Sequence, residues 1–129
     1  VVGGGISLNG TKLYSYPIAP LYTRSPDFSI LKYDQIIHFL GYGLVALILY
    51  WIILKYAPNI NATARALLSI FAALGLSALN EISEFVAVLL FTHTGVGGYY
   101  NLGLDLVFNL SGIVLAVIGA ELYSRFKLR

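Results

Sequence analysis

A short polar stretch, NEISE at residues 80–84, lies inside a largely apolar run from residue 64 to residue 91. That run is long enough to cross a bilayer as a helix, because about 20 apolar residues suffice. An ionisable side chain deep in hydrocarbon costs at least about 2.5 kcal/mol unless it faces protein or water. Because Glu81 and Glu84 are spaced i,i+3, they share one face of the helix. The sequence therefore predicts partners for both carboxylates elsewhere in the chain.

The composition indicates an integral membrane protein rather than a soluble domain. Hydrophobic residues make up 58% of the 129 residues and charged residues only 11%. The basic residues are scattered along the chain, which argues against a nucleic-acid partner. The absence of cysteine excludes disulfides and thiolate ligands, and the absence of methionine excludes thioether ligands for copper(I).

We predict an all-α, polytopic membrane protein, in which an interfacial segment precedes a bundle of three transmembrane helices. The helices are expected at about residues 34–56, 63–92 and 102–124, within a transmembrane domain of residues 34–129. Residues 1–33 are interrupted by prolines and rich in tyrosine. Such a segment is expected to lie on the extracytoplasmic membrane surface, extended or partly helical. The lysines and arginines of the short connections favour a cytoplasmic C-terminus.

Polar side chains of all three helices fall at one depth. The first helix carries Asp34 and His38 in its two outermost turns, and the third carries an aspartate and an asparagine equally near its outer start. Glu81 lies about 18 residues, or ~27 Å, along the second helix from its inner end, which brings it to the same level. We therefore predict one shared polar site beneath the outer leaflet. Its expected members are Asp34, His38, Asn80, Glu81, Glu84, Asp105 and Asn109.

Three motifs carry a resemblance to a known family. They read YDQIIHF at residues 33–39, EISEF at 81–85 and DLVFNLSG at 105–112. In this order and with this hydrophobic spacing they resemble the motifs of VanZ-like and the related YjdF-type membrane proteins. Those families have a D-x-x-x-H-F helix, an E-x-x-Q or E-x-x-E helix, and a D-x-x-x-N-x-x-G helix. The resemblance implies a helical membrane protein, and it implies no particular reaction.

The residue types of the predicted site suit a metal ion. One imidazole with several carboxylates is the ligand set of a hard or borderline divalent cation, such as Mg²⁺, Mn²⁺, Ca²⁺ or Fe²⁺. The expected ligands are His38, Glu81, Glu84 and Asp105. A cation held there could bind the phosphate of a membrane lipid headgroup or activate a water for hydrolysis.

Other interpretations stay open at this point. The same groups could pass protons or cations across the membrane, although we expect the inner half of the spans to carry nothing comparably polar. Alternatively, the polar groups only bond the helices to one another, and Asp34 simply caps the first helix. The chain would then be a small accessory subunit whose apolar faces contact other membrane subunits or a second copy.

Overall fold

The structure, a computed structural model, describes residues 6–25, 28–91 and 99–127. Short strands come first, and three long helices follow. The strands are β1 (Ser7–Leu8), β2 (Thr11–Lys12), β3 (Pro17–Ser25) and β4 (Phe28–Lys32), with a 3₁₀ turn at Leu13–Ser15 after β2. The helices are α1 (Tyr33–Tyr56), α2 (Ala62–Leu90) and α3 (Tyr99–Lys127).

The N-terminal segment forms two antiparallel hairpins, β1–β2 and β3–β4. The first turns at Asn9 and Gly10, whose positive φ angles of 51° and 81° suit asparagine and glycine. The second is tied to α1 by a 3.0 Å hydrogen bond from the Tyr33 N–H to the Tyr16 carbonyl. We call the end of the bundle beside the β3–β4 hairpin the hairpin end; it contains the first turns of α1 and α3 and the last turns of α2. The opposite end is the C-terminal end.

Gln35 joins β4 to α1. Its Oε1 accepts the N–H groups of Leu31 at 2.6 Å and Lys32 at 3.1 Å, and its Nε2 donates to the Ser29 carbonyl at 3.1 Å. Leu31 has a φ of 75°, a left-handed conformation that costs an L-residue roughly 1–2 kcal/mol, so these bonds hold a strained corner. Asp34 lies in the first turn of α1 and is not its N-cap residue, which is Lys32.

All three helices are long and apolar enough to cross a membrane. The 24 residues of α1 and the 29 of α2 and of α3 correspond to lengths of ~36 and ~44 Å, compared with ~30 Å of hydrocarbon. Most of their large apolar side chains are exposed on the outside of the bundle, as lipid-facing side chains are. The helices confirm the three predicted spans; residue 92, the expected end of the second span, lies outside the described residues.

Two glycines allow α1 and α3 to meet backbone to backbone. A Cβ atom on Gly43 would lie 3.2 Å from the Gly112 carbonyl oxygen, and a Cβ on Gly112 would collide with the carbonyl of Phe39. Small residues permit this close approach between membrane helices. Because Gly112 lies three residues after Asn109, the contact fixes the spacing of α1 and α3 next to the predicted polar site.

The middle of the bundle is apolar. We call the inward-facing residues there, Ala46, Ala73, Ile113 and Val117, the apolar layer; each is at most 1% exposed. Every helix contributes to this layer, so it forms the hydrophobic core between the two ends of the bundle.

Gly112→Ala is expected to destabilise the bundle, because the added methyl group must displace the Phe39 backbone. Overpacking of this kind costs about 1–3 kcal/mol of unfolding free energy, measurable in detergent by following helix content during an SDS titration. Gly119→Ala is the matched control, since a Cβ there meets nothing within 4 Å and alanine favours a helix by roughly 0.5–1 kcal/mol. Equal effects of the two substitutions would contradict the close contact.

Candidate functional site

All three helices place polar side chains on their inward faces at the hairpin end. We call these seven side chains the polar cluster: Asp34 and His38 on α1, Ser77 and Glu81 on α2, and Asn101, Asp105 and Asn109 on α3. On each helix they are four residues apart, so they form a row along one face. All of them except Asp34 are buried.

Asn109 holds the ring of His38 in one orientation. The amide nitrogen of Asn109 donates to Ser77 Oγ at 2.8 Å and to Glu81 Oε1 at 3.1 Å. Its Oδ1 lies 3.0 Å from His38 Nδ1, and because an amide oxygen can only accept, Nδ1 carries the proton. In a neutral imidazole this leaves a free lone pair on Nε2, which lies 3.6 Å from Asp34 Oδ1.

Asn101 has the corresponding role for the two aspartates. Its Nδ2 donates to Asp34 Oδ2 at 3.1 Å and to Asp105 Oδ2 at 2.5 Å. One amide group therefore holds one oxygen of each carboxylate. The remaining oxygen of Asp105, Oδ1, is buried without a hydrogen-bond partner. Buried polar atoms are rarely left in this state unless an ion or a water satisfies them.

The polar cluster contains more acidic than basic groups. Asp34, Glu81 and Asp105 are carboxylic acids, and among the described residues His38 is the only basic side chain within 4.0 Å of any of them. Glu81 Oε2 is also buried without a donor. Because a buried carboxylate without a cation costs several kcal/mol, the cluster favours an added cation or added protons.

Three of these residues could hold a metal ion. Asp34, His38 and Asp105 each offer one ligand atom, and the three atoms lie within 4.8 Å of one another. Glu81 borders this group, with its Oε1 3.3 Å from His38 Nδ1. Bonds from a second set of groups usually fix the orientation of metal ligands, and Asn101 and Asn109 provide such bonds here.

Asn80 and Glu84 lie at the edge of the polar cluster. Both are half-buried, and Asn80 Nδ2 donates to Glu84 Oε1 at 3.0 Å. Within the described parts of the chain, neither side chain hydrogen-bonds to a member of the cluster. Glu81 and Glu84 were both expected from the sequence as ligands, and neither is in the group of three whose ligand atoms converge. Asp34, which was expected in the site but not as a ligand, takes part in that group.

The structure brings together five of the residues expected in a shared site and adds two others. The five are Asp34, His38, Glu81, Asp105 and Asn109; the additions are Ser77 and Asn101. Asn101 is not among the predicted site residues, because the third helix predicted from the sequence begins at residue 102, whereas α3 begins at Tyr99. The four-residue spacing of Asn101, Asp105 and Asn109 is the sequence signal that would have identified it.

A second polar network lies at the C-terminal end. Glu121 Oε2 accepts the Tyr50 hydroxyl at 2.7 Å and Arg65 Nη2 at 2.9 Å, and Oε1 accepts Arg125 Nε at 3.1 Å. Ser124 Oγ lies 2.9 Å from the Tyr50 oxygen. The expectation that this half of the spans carries nothing comparably polar is wrong. Tyrosine and arginine near the ends of a span usually act as interfacial anchors, whereas here the Tyr50 and Arg65 side chains turn inward and bond all three helices.

The chain matches a known protein family. It is described as "Predicted membrane protein (DUF2238)", and the match covers residues 5–126. No curated protein and no solved structure matches. The match includes the N-terminal hairpins as well as the three helices, so both belong to what the family shares.

Asn109→Ala is expected to destabilise the bundle, because it leaves groups on α1 and α2 without their partner on α3. We expect a loss of about 2 kcal/mol of unfolding free energy, measured by SDS titration in detergent. Asn80→Ala removes a single half-buried hydrogen bond and should cost about 0.6 kcal/mol, the average for such bonds in membrane proteins. A loss for Asn109→Ala no larger than that for Asn80→Ala would show that Asn109 does not join the helices.

Proposed function

The chain is an integral membrane protein of three spans that belongs to the DUF2238 family of predicted membrane proteins, and we propose that it binds a divalent cation. The proposed ligands are Asp34, His38 and Asp105, with Glu81 beside them. One observation carries the proposal: ligand atoms from two helices converge within 4.8 Å of one another. The buried Oδ1 of Asp105, which has no hydrogen-bond partner, supports it.

The chemistry of the ligands supports a particular class of cation. Two carboxylates and one imidazole combine hard oxygen ligands with one borderline nitrogen, which suits Mn²⁺ or Fe²⁺ better than copper. Three protein ligands do not fill an octahedral shell, so positions remain for water or for an oxygen of another molecule. When bound, such a cation polarises the oxygen that occupies these positions.

A lipid headgroup is the external ligand that we propose. The polar cluster begins in the first turn of α1, directly after the β3–β4 hairpin, which is the boundary of the span. Phosphate oxygens of membrane lipids are concentrated at that level and are hard ligands of the kind that Mn²⁺ accepts.

The basic residues support a cytoplasmic C-terminus. Lys55, Arg65 and Arg125 lie at the C-terminal end of the bundle, and lysine and arginine in short connections favour the cytoplasmic side. The hairpin end and its cation site would then face the opposite compartment. This orientation is part of the proposal.

The resemblance to VanZ-like and YjdF-type proteins is also part of the proposal. Four residues of the polar cluster occupy positions of the motifs that carry this resemblance: Asp34, His38, Glu81 and Asp105.

An accessory subunit of a larger membrane complex is the second candidate. It is favoured by the half-buried pair of Asn80 and Glu84, which lies outside the polar cluster on a helix that crosses the membrane. Glu84 is bonded to Asn80 of its own helix, and ionisable side chains in such a helix usually face protein or a water-filled cavity. Another membrane protein or a second copy could supply that protein surface. In this case the polar cluster would only fix the packing of the helices.

Mn²⁺ binding tests the first candidate. The purified chain in detergent should bind one Mn²⁺, detected by the loss of the free-ion signal in electron paramagnetic resonance. Asp105→Asn and His38→Ala should each weaken binding by about tenfold or more, because each removes a ligand. Glu84→Gln is the matched control, a carboxylate on the same face as Glu81 but outside the converging group, and should change the affinity less than about twofold.

The outcomes separate the two candidates. Equal Mn²⁺ affinity of the wild type, Asp105→Asn and His38→Ala would contradict the cation site, provided that circular dichroism shows the three variants equally helical. Sizing of the native protein in a gentle detergent tests the second candidate. A small particle that contains metal supports the cation site, whereas a stable complex with other chains and no metal supports the accessory subunit.

A further inference from the structure

The members of the polar cluster differ in their exposure along the bundle. The side chain of Asp34, in the first turn of α1, is 22% exposed, that of His38 is 9% exposed and that of Glu81 is 4% exposed. Asp105 is 1% exposed. The least buried ligand is therefore Asp34, in the first turn of α1 at the boundary of the span, and the other ligands lie behind it.

An uninterrupted apolar belt lies on the other side of the cluster. The sequences are GLVALIL at residues 43–49, IFAALGL at 70–76 and GIVLAVIG at 112–119, without a polar side chain in any of them. Seven residues of helix rise by about 10 Å. Within this belt the apolar layer of Ala46, Ala73, Ile113 and Val117 fills the centre of the bundle with side chains at most 1% exposed.

On the C-terminal side of the cluster, two further contacts between described residues leave no open path along the axis of the bundle. At Gly43 and Gly112 the backbones of α1 and α3 touch, which leaves no space between these helices. At the C-terminal end, Tyr50 and Arg65 both bond to Glu121, so that side chains from all three helices fill the far end of the axis. These polar groups bond to one another and lie beyond the apolar belt.

We infer that the cation exchanges only with the compartment that faces the hairpin end, and that the protein does not pass it across the membrane. This inference rests on the proposed function and extends it. It describes a protein whose bound cation is accessible from one side of the membrane, in contrast to a carrier or a channel, which moves ions across. A divalent ion that moved toward the C-terminal end would lose its ligands and enter a layer of buried apolar side chains, which offer it no ligand atom. The apolar layer also separates the groups that could transfer a proton. On α2 the nearest buried polar side chains on either side of Ala73 are Ser77 and Ser69, which are eight residues or ~12 Å apart.

Proteoliposomes of phosphatidylcholine and phosphatidylglycerol test this inference with Mn²⁺ alone as the probe. The chain is reconstituted with Mn²⁺ on both sides, and EDTA, which does not cross the bilayer, is then added outside. Because the chain has no cysteine, Leu8→Cys and Phe126→Cys, both at exposed positions, report the fraction of molecules with each end outward through an impermeant maleimide. Flux is measured in parallel through the quenching of encapsulated calcein by external Mn²⁺.

The expected result is that EDTA removes bound Mn²⁺ only from the fraction in which Leu8→Cys is labelled, and that Mn²⁺ entry equals that of protein-free liposomes. Three outcomes would overturn one-sided exchange while leaving the cation site intact. EDTA could remove all bound Mn²⁺, or remove it in proportion to the molecules labelled at Phe126→Cys. Alternatively, Mn²⁺ could enter faster than in protein-free liposomes and this entry could be abolished by Asp105→Asn. A wild-type chain that binds no Mn²⁺ in detergent would instead overturn the proposed function, and this inference with it.

Discussion

The cost of keeping carboxylates away from water governs how this structure is built. Glu81 and Asp105 are 3% and 1% exposed, and a buried charge is tolerated only where hydrogen bonds and opposite charge replace the lost water. Asn101 and Asn109 supply the hydrogen bonds, and each connects groups on more than one helix. The opposite charge is incomplete, because His38 is the one basic side chain paired with these acids in the described residues. A divalent cation between Asp34, His38 and Asp105 would supply what is missing.

The same constraint explains how much the sequence could predict. Three apolar stretches of sufficient length define the spans, and a carboxylate inside a span must face a partner. A comparison of depths along the three helices therefore predicts that five polar residues lie at one level, namely Asp34, His38, Glu81, Asp105 and Asn109. In the structure all five belong to one connected polar network, although not every pair of them is in contact. These predictions depend on helix geometry and on the cost of burial, and both act on every sequence in the same way.

Other features depend on details of packing that a single sequence does not reveal. Tyr50, Arg65 and Glu121 have the composition of an interfacial belt, and only the rotation of the helices about their axes turns them inward. The exclusion of Glu84 from the converging ligands is likewise a matter of rotation, since its i,i+3 spacing from Glu81 leaves it at the edge of the shared face. Gly112 was part of a motif, but its contact with the Phe39 carbonyl follows from how closely α1 approaches α3. The polar groups at both ends and the backbone contact near the middle together fix how the three helices align along their axes.

The central claim is that acids and an imidazole from separate spans converge because they hold one cation, and crystals of the chain grown with Mn²⁺ test it most directly. Diffraction data collected at the manganese absorption edge locate the metal without reference to any assumed ligand. The account predicts a single strong anomalous peak in contact with Asp34, His38 and Asp105, at about 2.1–2.3 Å from their ligand atoms. An anomalous map with no peak there, in a crystal whose Asp105 still hydrogen-bonds to Asn101 as described, would contradict the claim and leave the polar cluster as a device for packing the helices.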